Sequence, residues 1–61
     1  MIDIKKYRNK MQLSQLGLAK LLNMSPTSIQ YYEKHKYNPS YNTILKLKKI
    51  IKEQLNEDLN I

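Results

Sequence analysis

The chain has 61 residues, no cysteine and a net charge of +6, with eleven Lys and Arg residues against five Asp and Glu residues. This length allows one domain with a small core, because such a chain buries only about 60% of the surface that it exposes when unfolded. The composition excludes a disulfide framework and a thiolate metal site, and no apolar run approaches the roughly 18 residues of a membrane span.

The first predicted element is a short amphipathic helix over residues 3–11. Ile4, Tyr7 and Met11 recur at the spacing of one helical face. Asp3 stands at the start, where a carboxylate meets the positive end of the helix dipole.

A second helix follows Ser14, which is a good N-cap. Asn23 is predicted to end it, because asparagine tolerates the left-handed conformation that terminates many helices. The helix has an apolar stripe that we expect to face the core, made by Leu18, Leu21 and Leu22 with Ala19 beside them.

The third helix is predicted to run from Ser25 to about Lys34. Ser25 caps it, and Pro26 occupies its first turn, where no amide partner is lost. The segment "HKYNPS" after it is predicted to be a loop, since proline disfavours helix for the residue before it.

The last predicted helix is the longest. Ser40 caps it, and no Gly or Pro interrupts the chain from residue 41 to about residue 58. A break near Lys52–Gln54, giving a short fifth helix, is the alternative. We therefore predict an all-α chain of four to five helices in one domain, 1–61, with an apolar stripe on the last helix at Ile44, Leu47, Ile51, Leu55 and Leu59.

The positive charge is unevenly distributed. Residues 1–49 hold every basic residue except Lys52 and only two acidic residues, whereas residues 50–61 are mildly acidic. A basic balance suits nucleic acid or an anionic membrane, although lysines also keep a small protein soluble. The first ten residues contain no apolar core of a signal peptide, so we expect a soluble protein of the cell interior.

The second and third helices meet the three requirements of a helix-turn-helix. Such a corner needs a small residue where the helices pack, a turn residue that accepts the left-handed conformation, and apolar residues around the turn. Ala19 is the small residue and Asn23 the turn residue. The apolar set is Leu18, Leu22, Met24, Ile29 and Tyr32.

From Arg8 to Leu47 the sequence resembles the Cro/repressor-type, or XRE, helix-turn-helix family. The matching stretches are "LSQLGLAKLLNMSPTSIQYYEK", "NPS" and "TILKL", without gaps. The resemblance implies a lambda-repressor-like domain, with the helix-turn-helix at about residues 14–34 and an extended C-terminal helix at about 41–58. It also implies that the third helix enters the DNA major groove, usually in a dimer that binds two half-sites about 34 Å apart.

Several positions depart from the family pattern. Gly17 replaces a good helix former, at a cost of about 1 kcal/mol relative to alanine. Gln12, Asn23 and His35 replace turn glycines, and asparagine and histidine tolerate positive φ better than most residues. Pro26 stands where relatives often have a polar, base-reading side chain, so it offers only an apolar contact.

Candidate DNA-binding residues lie on and around the third helix. Thr27, Ser28 and Tyr31 share the face opposite Ile29, and an ordinary solvated face is the alternative. Gln15, at the start of the second helix, is positioned by the resemblance for a phosphate contact. The full set predicted for double-stranded DNA is Gln15, Pro26, Thr27, Ser28, Tyr31, Lys34, Lys36 and Asn38.

Arg8 and Glu33 are interpreted as a structural pair that ties the first helix to the third, following the resemblance. Arg8 on DNA is the alternative. His35 is the single histidine, and the carboxylates form no clear pair, so neither an enzyme nor a metal, cofactor or small-molecule site is predicted.

The C-terminal stripe at Ile51, Leu55 and Leu59 extends beyond what a small core needs. We predict that it makes a homodimer contact. The alternative is that it packs back on the first helix within one subunit.

The sequence therefore predicts a DNA-binding transcriptional regulator of the cytoplasm, most like a small phage or mobile-element repressor or Cro protein. An antitoxin or controller protein using the same module is one alternative, and a protein-interaction module without operator binding is another. A membrane-surface role is disfavoured, because the last helix lacks aromatic anchors and ends in acidic residues.

Overall fold

The computed structural model describes residues 2–58, and this part of the chain forms four α-helices and no strand. In chain order they are α1 (Ile4–Lys10), α2 (Gln15–Leu22), α3 (Pro26–Glu33) and α4 (Tyr41–Leu55). The all-α prediction is confirmed. None of these helices is long and apolar enough to cross a bilayer.

Each helix begins at a polar side chain that caps it. The caps are Asp3, Ser14, Ser25 and Ser40, and each accepts a hydrogen bond from the amide three residues later. These bonds satisfy amides that the start of a helix leaves without an intrahelical partner. The four starting points are thus determined by local sequence.

Left-handed residues follow the helices, and none of them is a glycine. Gln12, Asn23 and His35 have φ angles of 58°, 57° and 59°. In each case the next amide donates back across the turn, as Met24 does to the Ala19 carbonyl at 2.9 Å. This is the Schellman arrangement, which ends a helix and reverses the chain sharply.

The last helix ends earlier than predicted. Asn56 adopts the left-handed conformation, with φ 55°, and its amide donates to the Lys52 carbonyl at 3.0 Å. α4 therefore stops at Leu55 instead of continuing to residue 58, but it is unbroken through Lys52–Gln54.

One core holds the helices together, and all four contribute to it. Ile2, which lies before α1, is also buried there. Leu21 was expected in the stripe of α2, but its side chain is 48% exposed. The buried hydrophobic residues are Ile2, Ile4, Leu18, Ala19, Leu22, Ile29, Leu47 and Ile51.

Candidate nucleic-acid interface

The corner between α2 and α3 orients α3 relative to the rest of the domain. Ala19 of α2 and Ile29 of α3 have no exposed surface. The left-handed turn at Asn23 and the cap at Ser25 leave only three residues between the helices. A short connection and a shared core give α3 a fixed orientation.

α3 has an inner and an outer face. On the inner face, Ile29 is buried and Tyr32 packs against the core. On the outer face, Thr27 is exposed and Tyr31 is half-buried. The adjacent tyrosines point in different directions because successive residues of a helix are rotated by about 100°.

An ion pair joins α1 to the C-terminal end of α3. The Arg8 guanidinium donates to both carboxylate oxygens of Glu33, with Nε···Oε2 at 2.6 Å and Nη2···Oε1 at 3.2 Å. The same guanidinium donates from Nη1 to the Leu13 carbonyl at 2.9 Å. The side chains are only 13% and 7% exposed, so solvent screens this bidentate pair weakly.

The pair changes the ionisation of both groups. Burial raises the pKa of Glu33, but hydrogen bonds from Arg8 and Gln15, together with the Arg8 charge, outweigh it and leave that pKa below its ordinary value. The hydrogen bond to Glu33 raises the pKa of Arg8 further. Both groups are therefore charged at neutral pH, and the pair is a fixed part of the domain.

Gln15 takes part in this network as well. Its Nε2 donates to Oε1 of Glu33 at 3.2 Å. A primary amide carries two donor hydrogens, so one remains for another acceptor. Gln15 thus lies at the start of α2, tied to the end of α3.

A cluster of three side chains, Tyr31, Lys36 and Tyr37, lies where α3 passes into the following loop; we call it the tyrosine cluster. The Tyr31 and Tyr37 rings meet edge to face, with centroids 5.3 Å apart and planes at 74°. The Lys36 Nζ lies 5.4 Å from the centre of the Tyr31 ring, within range of a cation–π interaction. The left-handed turn at His35 makes this possible, because the Lys36 amide returns to the Tyr31 carbonyl at 2.9 Å.

The tyrosine cluster was not predicted. Sequence reasoning placed Tyr31 on the outer face but identified neither the Lys36 nor the Tyr37 contact. The signal that points to it is the glycine-like turn position at His35, which folds the next two residues back onto the helix.

The other predicted DNA-binding residues surround this face. Pro26 is half-buried, whereas Lys34, Lys36 and Asn38 are exposed. Ser28 is half-buried, and its hydroxyl lies 3.3 Å from that of the Ser25 cap. A contact from Ser28 to a base would therefore share or replace this hydrogen bond.

The predicted dimer stripe requires a correction. Ile51 has no exposed surface, because it fills the core of its own subunit, so it cannot contact a second copy. Leu55 is half-buried and packs against the same core, and Leu59 lies outside the described residues. Lys10 of α1 binds Glu57 at 3.1 Å, so the segment that follows α4 contacts α1 of the same subunit at this residue.

Comparison with known proteins agrees with this architecture. A family model described as helix-turn-helix matches residues 4–57, which include all four helices. No curated protein and no solved structure is significantly similar to the chain. The matched family is a DNA-binding module and is typically not enzymatic. The match itself confirms the resemblance seen in the sequence. The chain therefore belongs to the XRE-type, or Cro/repressor-type, helix-turn-helix family.

Proposed function

We propose that the protein is a sequence-specific transcriptional regulator, a small repressor or Cro-like protein that inserts α3 into the major groove of operator DNA. The observation that carries this proposal is the division of α3 into two faces. Its inner face is held by the core and by the Arg8–Glu33 pair, and its outer face is polar, aromatic and followed by lysines.

The outer face offers chemistry suited to base edges. Thr27 has a hydroxyl and a methyl group, which match a base acceptor or donor and the thymine methyl. The Tyr31 ring offers an apolar surface and a phenolic hydroxyl, and the tyrosine cluster restricts its orientation before DNA arrives. Less conformational entropy is lost when a preordered side chain binds.

Phosphate contacts would flank the base contacts. Lys34 and Lys36 are exposed just after α3, and Asn38 follows them. The first amides of α2, with the remaining Gln15 hydrogen, lie at a helix N-terminus, which favours anions. Each phosphate neutralised by a lysine adds affinity through counterion release.

Two copies are required to read two adjacent half-sites. One subunit measures 27 × 21 × 18 Å along its principal axes, whereas half-sites one turn apart are separated by about 34 Å. We therefore propose that the operator is occupied by a dimer. Occupancy would repress transcription by excluding polymerase or competing regulators.

Selection of bound duplexes from a random DNA pool tests this proposal. We expect an enriched motif with two related half-sites. The logarithm of affinity should fall with the logarithm of salt concentration by about 0.9 for each phosphate neutralised. A pool that shows no enrichment, with affinity insensitive to salt, would contradict operator binding.

Two substitutions separate base reading from phosphate binding. Thr27→Ala should relax preference at one base pair by about 1 to 3 kcal/mol. Lys36→Ala should weaken all sequences alike and reduce the salt slope by about 1. Lys52→Ala, which removes an exposed lysine of α4 that pairs with Asp58, is the charge-matched control and should leave both properties unchanged.

A further inference from the structure

A shallow hollow lies between α2 and α4, away from the residues proposed to contact DNA. Its volume is about 360 Å³, and it is lined by Leu21, Lys46, Lys49, Ile50 and Glu53, which together we call the α2–α4 face. Leu21 is 48% exposed and Ile50 is half-buried. The face therefore combines a small apolar centre with charges of both signs at its edge.

Glu53 is the acidic residue that the subunit leaves without a partner among residues 2–58. Lys49 lies four residues before it on α4, yet the two make no ion pair in this part of the chain. A lysine that precedes a glutamate by four residues is also the less favourable order on a helix. The other four acidic residues are engaged in a helix cap or an ion pair: Asp3, Glu33, Glu57 and Asp58.

The charges on α4 are arranged so that the face can bind a copy of itself. Lys46 and Glu53 are two helical turns apart, about 10.5 Å along the axis. The point halfway between them lies between Lys49 and Ile50. A two-fold axis through this point sets two α4 helices antiparallel and brings each Lys46 opposite the Glu53 of the other copy. Two-fold contacts are self-complementary in this way: if one residue meets a second, the second also meets the first.

We propose that the α2–α4 face is a homodimer interface, formed by antiparallel α4 helices with two reciprocal Lys46–Glu53 ion pairs. Lys49 and the half-buried Ile50 flank the symmetry axis, and the exposed Leu21 lines the same face. A second copy therefore covers Leu21 together with the exposed part of Ile50. Ile51 does not take part, since it is fully buried in its own subunit, and Leu55 does not line this face.

The interface is small, so the dimer is weak. One subunit has 4290 Å² of accessible surface. With about a tenth of that surface in the contact, the two copies together bury less area than a standard protein–protein interface. Association is therefore expected to depend on concentration and to be reinforced on a two-site operator. The inference depends on the proposed function only for this last point, because pairing is measurable without DNA.

Sedimentation equilibrium of the full chain without DNA, over concentrations up to about 1 mM at about 0.15 M salt, tests the interface. This salt screens the net repulsion between subunits beyond about 8 Å but leaves contact pairs intact. Lys46→Glu and Glu53→Lys should each weaken self-association about tenfold or more, because each places like charges opposite one another. An equimolar mixture of the two variants should associate again, since a mixed dimer restores opposite charges at both positions.

Lys6→Glu, a matched charge reversal on the exposed surface of α1, is the control and should leave self-association unchanged. Circular dichroism verifies that every variant is folded. A wild-type chain that stays monomeric at 1 mM overturns the proposal, as does a mixture of the two variants that fails to associate. Operator binding by a chain with no self-association would refute this interface while leaving the DNA-binding proposal intact.

Discussion

The inner and outer faces of α3 differ in what holds their side chains. On the inner face, Ile29 has no exposed surface and the Glu33 carboxylate is bound by Arg8 and Gln15. On the outer face, Thr27 is exposed, and Tyr31 is held by Tyr37, which is itself 60% exposed. One eight-residue helix thus has its stabilising contacts on one face and the proposed DNA contacts on the other, so substitutions on each face should affect one property and leave the other largely unchanged.

The largest expected effect comes from the centre of the inner face. Ile29→Ala removes a fully buried side chain and leaves a cavity, which should reduce the free energy of unfolding by about 2 to 5 kcal/mol. A domain of this size has little more stability than that. Urea denaturation followed by circular dichroism measures the loss, with Thr27→Ala as the outer-face control. A loss below about 1 kcal/mol would contradict the assignment of Ile29 to the core.

The adjacent tyrosines give a matched comparison. Tyr32→Ala removes a ring that packs against the core and should cost about 2 to 3 kcal/mol of stability. Tyr31→Ala loses mainly the edge-to-face contact with Tyr37, which is worth about 1 kcal/mol, but should weaken operator binding at least as much as Thr27→Ala. Thermal denaturation and DNA titration of both variants provide the test. Equal stability losses would mean that the two faces are not distinct.

Removing the ion pair should make stability depend less on pH. Glu33→Gln leaves the Arg8 charge poorly compensated and should cost about 2 kcal/mol at pH 7. Because the folded pKa of Glu33 lies below the ordinary value of 4.5, the pair's contribution is fully present above that pH. It is lost as the pH falls through the folded pKa. Between about pH 7 and pH 2, the free energy of unfolding should fall more steeply in the wild type than in the variant. Parallel curves of this free energy against pH would contradict the expectation.

A smaller effect of opposite sign is expected at a turn. Gln12 has a left-handed backbone, which costs a residue with a Cβ roughly 1 to 2 kcal/mol and costs glycine almost nothing. The greater entropy of glycine in the unfolded chain offsets part of this gain. Gln12→Gly should therefore raise the free energy of unfolding by about 1 kcal/mol net. Asn23→Gly should gain less, since asparagine tolerates this conformation. A loss of stability in the Gln12 variant would show that its side chain makes a needed contact.

Features set by neighbouring residues were predictable from the sequence. The cap at Ser25, the turn at Asn23 and the start of α4 after Ser40 follow from local hydrogen bonding and backbone preference. The family resemblance also pointed to Arg8 and Glu33, although they are 25 residues apart.

Features set by the packing of distant segments were not predictable. The stripe on the last helix has the right periodicity for a core face or a dimer face, and only the way the rest of the chain packs against α4 makes Ile51 internal. Leu21 has the periodicity of a core residue but lies at the edge of α2, where α4 does not cover it. The Tyr31–Tyr37 contact depends on how the loop after His35 returns, which helical periodicity does not describe.

The central claim is that the outer face of α3 and the loop that follows it bind DNA. Titration of ¹⁵N-labelled protein with a selected duplex, followed by amide chemical shifts, tests this claim residue by residue. The largest changes are expected at Thr27, Ser28 and Tyr31 and through residues 36–38, with amides in the buried core of α4 shifting little. Changes absent from both α3 and residues 36–38 would contradict it.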